Sequence, residues 1–348
     1  MPDHDHNHQH ASHHHHHSVD HHLLLLLDAE IAQARSFIEN KPHSSWETAT
    51  LLKELGSLLR QRFSESKESR YINEAVEVHR NSLKIFQDHP HHESRPSLLS
   101  HYGFVLHDRY HHTHEVNDII AAVSQHETAL GLLKQGDGNE FDVLINLAKT
   151  LRCRFDAGGE KAHLDRAISL SRRAVGLEPS RHPPLGILVD YLERRAKLAH
   201  HEDDNAQMET AVNELIEVRE KELRLASLFK LKSEPGKLEN DIATSFFHLF
   251  STTRLVQLLD TAISIFREAR TFPCLSPRYE VNILINLSAC LRARYNKLKD
   301  SADLEEAVEL SRLCYEKPGP LFRAFIITTL CNLLRTQYKE SGGHIEAQ

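Results

Sequence analysis

The sequence predicts an all-α protein, an α-solenoid of antiparallel helix pairs forming a right-handed superhelix, and three observations carry that prediction. Apolar residues recur at helical offsets along most of the 348 residues. The same register then repeats at an interval of about forty-five residues. Glycine and proline are scarce, 13 and 12 in the whole chain, and several of them punctuate the periodic stretches.

The first element is a lone amphipathic stretch, Leu23 to Glu39, within a segment 23–44 that serves as an N-terminal capping helix. The array then occupies residues 45–340. Its anchors are Phe63, Tyr110, Phe155, Ala199, Phe250, Tyr295 and Tyr338, spaced by 47, 45, 44, 51, 45 and 43 residues. Twelve residues after each of the first six stands an alanine: Ala75, Ala122, Ala167, Ala211, Ala262 and Ala307. Upstream, Leu52, Leu55 and Leu59 lie eleven, eight and four residues before Phe63, and Leu99, Tyr102 and Leu106 repeat those offsets before Tyr110. Such offsets place the side chains on one stripe of a first helix. Seven residues before the anchor the residue is small in most copies, as at Gly56, Gly103, Ala148, Ala243 and Ser288, which lets a neighbouring helix approach closely. The second helix carries the alanine and another residue seven later, such as Ala129, Ala174 or Cys314, and Pro179, Pro273 and Pro318 end the unit. Polar segments such as Ser64 to Arg70 and Asp156 to Lys161 read as the connections within the pairs.

This pattern resembles the tetratricopeptide repeat (TPR) family. Leu52, Leu55, Gly56 and Leu59 match its first-helix run, and Ala167, Ala174 and Pro179 match its second helix. HEAT and armadillo repeats share the length class but lack the small residue beside the central apolar one. The units exceed the family's usual length of about 34 residues, and the excess is expected in the turn within each pair and between pairs. Long degenerate units of this kind resemble the arrays of fungal CHAT-domain (caspase-like peptidase) proteins, notably at 164–172 and 304–312. The resemblance implies protein or peptide binding, and it allows that the chain is the regulatory part of a larger peptidase.

The ends read differently. Residues 1–22 hold eleven of the 28 histidines and almost no apolar surface, so disorder is expected. Such a tract is a low-complexity tail or a purification tag, and it can chelate Zn²⁺, Ni²⁺ or Cu²⁺. Residues 341–348 stop where a seventh second helix should begin, which reads as an incomplete C-terminal end.

A formal net charge of −7 argues against general affinity for nucleic acid or anionic membranes. Leu23 to Leu27 is too short an apolar block to span a bilayer. Five scattered cysteines without a C-x-x-C pair are expected to be reduced thiols in a cytoplasmic or nuclear protein. No phosphate loop, H-E-x-x-H or G-x-S-x-G appears, no cofactor is implied, and no catalytic residue is assigned. Cys153, Cys290, Cys314 and Cys331 read as packing residues. His107 and His111 stand four apart on a helix, a spacing open to a metal, yet no recognised spacing sets a cysteine or carboxylate beside them. They read as part of a solvated polar turn, and no metal ligand is assigned.

In the family the first helices line a concave groove. The positions three before each anchor should face it, and they are Arg60, His107, Arg152, Ala196, Phe247, Arg292 and Arg335. Lys53, Lys149, Lys197 and Lys237 add to them, against Asp108, Asp142 and Glu193. Eight cations against three anions invert the balance of the whole chain. Two readings follow: a groove for an acidic or phosphorylated segment, or surface ion pairs between adjacent repeats. The lysine, asparagine and arginine set of chaperone-tail clamps is absent.

Overall fold

The computed structural model describes residues 21–40, 44–87, 92–134, 136–178, 182–228, 234–317 and 323–340. The His-rich residues 1–20 and the C-terminal residues 341–348 lie outside that set. Among the described residues there are fourteen helices and no strand: α1 (His21–Asn40), α2 (Ser45–Ser66), α3 (Ser69–Ile85), α4 (Arg95–Thr113), α5 (Val116–Leu132), α6 (Glu140–Asp156), α7 (Lys161–Leu177), α8 (His182–His201), α9 (Asn205–Leu228), α10 (Lys237–Thr253), α11 (Val256–Ala269), α12 (Pro277–Leu298), α13 (Ser301–Glu316) and α14 (Arg323–Glu340). None is long and apolar enough to cross a membrane. The architecture is a TPR-like α-solenoid, and it divides into two compact units, residues 1–159 and 160–348.

In the first unit α2 pairs with α3 and α4 with α5, and α6 packs on α5. Helix α1 lies along α2, burying Leu27 and Ile31, while its Asp28 receives both Nε and Nη2 of Arg62 at 2.8 and 3.2 Å. In the second unit α7 packs on α8, followed by the pairs α8/α9, α10/α11 and α12/α13, then α14. Helix α2 begins on a capping box. The Glu47 amide donates to Ser44 Oγ at 3.3 Å, and the Ser44 amide donates to the Glu47 carboxylate at 2.8 Å.

The register locates the core. All six of the spaced alanines are buried, none more than 4% exposed, because any larger side chain there would push the paired helices apart. Leu59, Leu106, Leu151, Phe246 and Leu291 of the first helices are buried as well. Arg195 breaks this apolar stripe and instead reaches Asp165 of α7 at 2.7 Å. In α14 the same stripe is left open, with Ile327 44% exposed where its counterpart Leu284 is 4% exposed.

The excess length of the units does not sit in the turn within the pair. Residues Ser64 to Ser66 belong to α2, and only Lys67 and Glu68 separate it from α3. The same two-residue reversal follows α4, α10 and α12. Each uses a non-glycine residue four after the anchor in the left-handed conformation: Lys67, His114, Arg254 and Lys299, with φ of 58°, 59°, 59° and 61°. Its amide donates to the anchor's carbonyl at 2.7 to 2.9 Å, closing the helix in one step. Three of these side chains place a cation over the anchor ring, 5.8 Å for Lys67 on Phe63, 5.9 Å for Arg254 on Phe250 and 5.1 Å for Lys299 on Tyr295. In those repeats the buried aromatic anchor also forms a platform for the cap. The extra residues therefore lengthen the helices and the connections between pairs.

The small position before the anchor also acquires a specific partner. A Cβ on Gly56 would stand 2.5 Å from His79 Nε2, and one on Gly103 would stand 2.6 Å from His126 Nε2. Both imidazoles are fully buried, and neither ring nitrogen of either has a hydrogen-bond partner among the described residues. Burial therefore holds both rings neutral, pushing their pKa values down to about 3. In the sixth pair the corresponding residues are Ser288 and Ser311, whose hydroxyls lie 3.0 Å apart.

Candidate functional site: the first-helix face and a histidine–cysteine cluster

Adjacent first helices touch along the positions two, three, six, nine and ten before the anchor. In the first unit Arg60 of α2 donates to Asp108 of α4 at 2.8 Å and lies 5.5 Å from the centre of the Phe104 ring. Between α4 and α6 the same face holds a pocket of about 250 Å³ lined by Ser100, His101, Phe104, Asp142 and Asn146, among others. In the second unit Asn286 of α12 donates to Asn240 Oδ1 and Thr244 Oγ1 of α10 at 3.1 and 3.2 Å. Of the positions three before the anchor, Ala196 is buried in the core, whereas Arg292 and Arg335 are exposed.

The eight cations expected there divide into two groups. Arg60 is committed to Asp108, Arg152 to Asp156 at 2.6 Å, and Lys237 to Asp241 at 3.0 Å. Lys53, Lys149, Lys197, Arg292 and Arg335 have no ion pair within 4 Å among the described residues, and all but Lys53 are exposed. Lys53, Arg60, His107, Lys149 and Arg152 belong to the first unit, and Lys197, Arg292 and Arg335 to the second. Of the three pairs only Arg60–Asp108 joins adjacent repeats; the other two lie within a single helix, one turn apart.

A second surface is absent from the sequence reading. In the second unit, α9 and α11 flank a cleft of about 800 Å³ with Leu223, Leu228, Ile265 and Phe272 in its lining and Glu220 and Glu268 among its charges. Its residues come largely from second helices, whose register the repeat pattern describes only at the alanine and the residue seven beyond.

The polar turn expected at the end of α4 is instead a contact with α6. His107 Nε2 lies 3.3 Å from Cys153 Sγ, His111 Nε2 lies 3.5 Å from the same sulfur, and the two imidazole nitrogens are 3.3 Å apart. Cys153 is buried, His107 is half-buried and His111 is exposed. His107 stands three before its anchor and Cys153 two before the next, the positions that Arg60 and Asp108 occupy one repeat earlier. The cluster is therefore the same lateral contact with an imidazole and a thiol in place of the ion pair. His111 joins because four residues make about one helical turn.

The surroundings are charged. His107 Nδ1 is buried without a hydrogen bond, 3.6 Å from Asp108 Oδ1, and Asp108 is itself gripped by Arg60. Burial alone would lower the His107 pKa, but the Asp108 carboxylate and the Cys153 sulfur outweigh it and raise it to about 9. Burial lowers the pKa of His111, helped by the charge on His107. Arg152 Nη2 lies 3.5 Å from the sulfur on its other side.

No family model matches the chain, and no curated protein matches it. Several solved structures resemble it. The S. pombe nuclear import adaptor Nro1 shares 13% identity over 87% of this chain and 97% of its own, with a TM-score of 0.40. TTC0263, a thermophilic TPR protein of Thermus thermophilus, shares 14% identity over 69% and 99%, with a TM-score of 0.31. Acl4, the assembly chaperone of RpL4, shares 16% identity over 83% and 99%, with a TM-score of 0.34. These likenesses reach no further than a helical-repeat fold, which this chain's own helices establish.

Proposed function

We propose that this chain is a protein-interaction scaffold, without catalytic activity of its own, that binds an acidic or phosphorylated segment of a partner on its first-helix face. The observation that supports the reading is the set of five cations, Lys53, Lys149, Lys197, Arg292 and Arg335, that carry no ion-pair partner among the described residues of a chain with net charge −7. An unpaired cation on a protein surface suits a carboxylate or phosphate, which takes charge-assisted hydrogen bonds. Its five cysteines are all free thiols, in keeping with a reducing cytoplasmic or nuclear setting.

The test is affinity capture from source-organism extract with the full chain, read by mass spectrometry. Two variants accompany it, Lys53→Glu/Lys149→Glu in the first unit and Lys197→Glu/Arg292→Glu/Arg335→Glu in the second. The expected result is a partner lost by one of the two folded variants and weakened in the wild type by added salt, since exposed charges are screened. Partners retained by both variants, with no dependence on salt, would remove the charged face from the account.

A further inference from the structure

We propose that His107, His111 and Cys153 form a zinc site. The argument rests on geometry. Zinc bound by two imidazole nitrogens and one thiolate, at about 2.0–2.1 and 2.3 Å in a tetrahedron, sets the nitrogens about 3.3 Å apart and each nitrogen about 3.5 Å from the sulfur. The three distances between these atoms are 3.3, 3.3 and 3.5 Å. A metal seated over that triangle needs no rearrangement of the backbone. Histidines one turn apart on α4 and a cysteine on the neighbouring α6 supply the donors from rigid helices, which favours a preformed site.

The atoms behind the ligands fit the same purpose. A zinc-bound imidazole usually gives its other nitrogen to a carboxylate, a carbonyl or water. His107 Nδ1, buried and without a hydrogen bond, faces Asp108 at 3.6 Å, and a shift of a few tenths of an ångström completes that bond. Arg60 holds the Asp108 carboxylate in place from α2. Arg152 donates toward the sulfur, and its own charge is balanced by Asp156. Cys153 is buried while His111 is exposed, so the fourth position opens toward solvent and takes water or a ligand from outside.

On binding, Cys153 releases its thiol proton and the two imidazoles bind as neutral groups, so protons leave as the metal enters. The site stands apart from the partner-binding reading, because none of the residues reversed in that test is a ligand here.

The N-terminal histidine tract is a competing chelator, but residues 1–22 contain no cysteine, so a sulfur-specific signal separates the two. The experiment is titration of the reduced, full-length chain with Co²⁺, followed by absorption spectroscopy and then by displacement with Zn²⁺. One equivalent should give a thiolate-to-cobalt charge-transfer band with intense visible bands of a four-coordinate centre, and Zn²⁺ should bleach both. Cys153→Ser should abolish the charge-transfer band, whereas Cys331→Ser, at an exposed thiol elsewhere, should leave it intact. His111→Gln alters only an exposed side chain and should weaken metal affinity at least tenfold, and Asp108→Asn by roughly 10- to 100-fold through His107. The His111 and Asp108 variants decide the matter even if Cys153→Ser misfolds. Absence of the band from the folded wild type, its survival in Cys153→Ser, or its indifference to His111→Gln would each overturn the assignment and leave a hydrogen-bonded thiol–imidazole contact.

Discussion

At Gly56 a single hydrogen atom in place of a side chain decides whether His79 can occupy the core. The ring is fully buried, and a Cβ on Gly56 would meet it at 2.5 Å, so Gly56→Ala should destabilise the chain by about 1–3 kcal/mol. The two positions form one unit, as Ser288 and Ser311 do in the sixth pair. Gly56→Ser combined with His79→Ser should therefore be more stable than the sum of the two single variants by roughly 1 kcal/mol or more in urea unfolding. Simple additivity would show that the contact does not couple them. The sequence alone marks Gly56 as a small residue for close helix approach. It does not name the ring that fills the space, because His79 stands 23 positions away on another helix.

The helix pair owes its sharp reversal to the cap four residues beyond the anchor. At Lys299 a φ of 61° costs an L-residue about 1 kcal/mol, and the cation over the Tyr295 ring returns about 0.5–1 kcal/mol. Lys299→Ala keeps the strained conformation and loses the cation, so a loss of about 1 kcal/mol is expected. Lys299→Gly loses the cation and relieves the strain, so its urea midpoint should stay close to the wild type. Equal stability of the two variants would count against this account of the turn. The spacing of Phe63 and Lys67, Phe250 and Arg254, and Tyr295 and Lys299 is present in the sequence as an aromatic residue followed four later by a base. A left-handed backbone at a lysine has no propensity signal, so residues such as Ser64 to Ser66 read as turn when they are helix.

For the molecule as a whole, two neutral histidines in the core tie stability to pH. His79 and His126 have pKa values of about 3 when folded and near 6.5 when unfolded, so below pH 6.5 the unfolded chain takes up protons that the folded chain refuses. Stability should fall by about 1.5–2 kcal/mol for each of them between about pH 6.5 and 5. His107 works in the opposite sense, since its raised pKa contributes stability that is complete below pH 6.5 and is lost as pH rises through about 9. It adds no slope in the acidic window. Unfolding followed by circular dichroism across that window should show a shallower slope in His126→Gln than in the wild type. An unchanged slope would place the acid sensitivity elsewhere.

The sequence by itself determined the helical class, the repeat register and the core. Those depend on periodicity along one chain, and a helix turns at a fixed pitch whatever it later touches. It also offers a candidate stripe on the first helices, the positions that remain when the apolar ones are removed. Only the tertiary structure decided which free positions find a partner. Arg60 and Asp108 are 48 residues apart and His107 and Cys153 are 46 apart, so neither pair shares a helix or a motif spacing. Their contact depends on how two first helices are set side by side, an offset controlled by packing against the second helices. A pair of histidines one turn apart is common and says little alone. The neighbouring helix, by presenting a thiol at 3.3 Å, turns that pair into a candidate metal site.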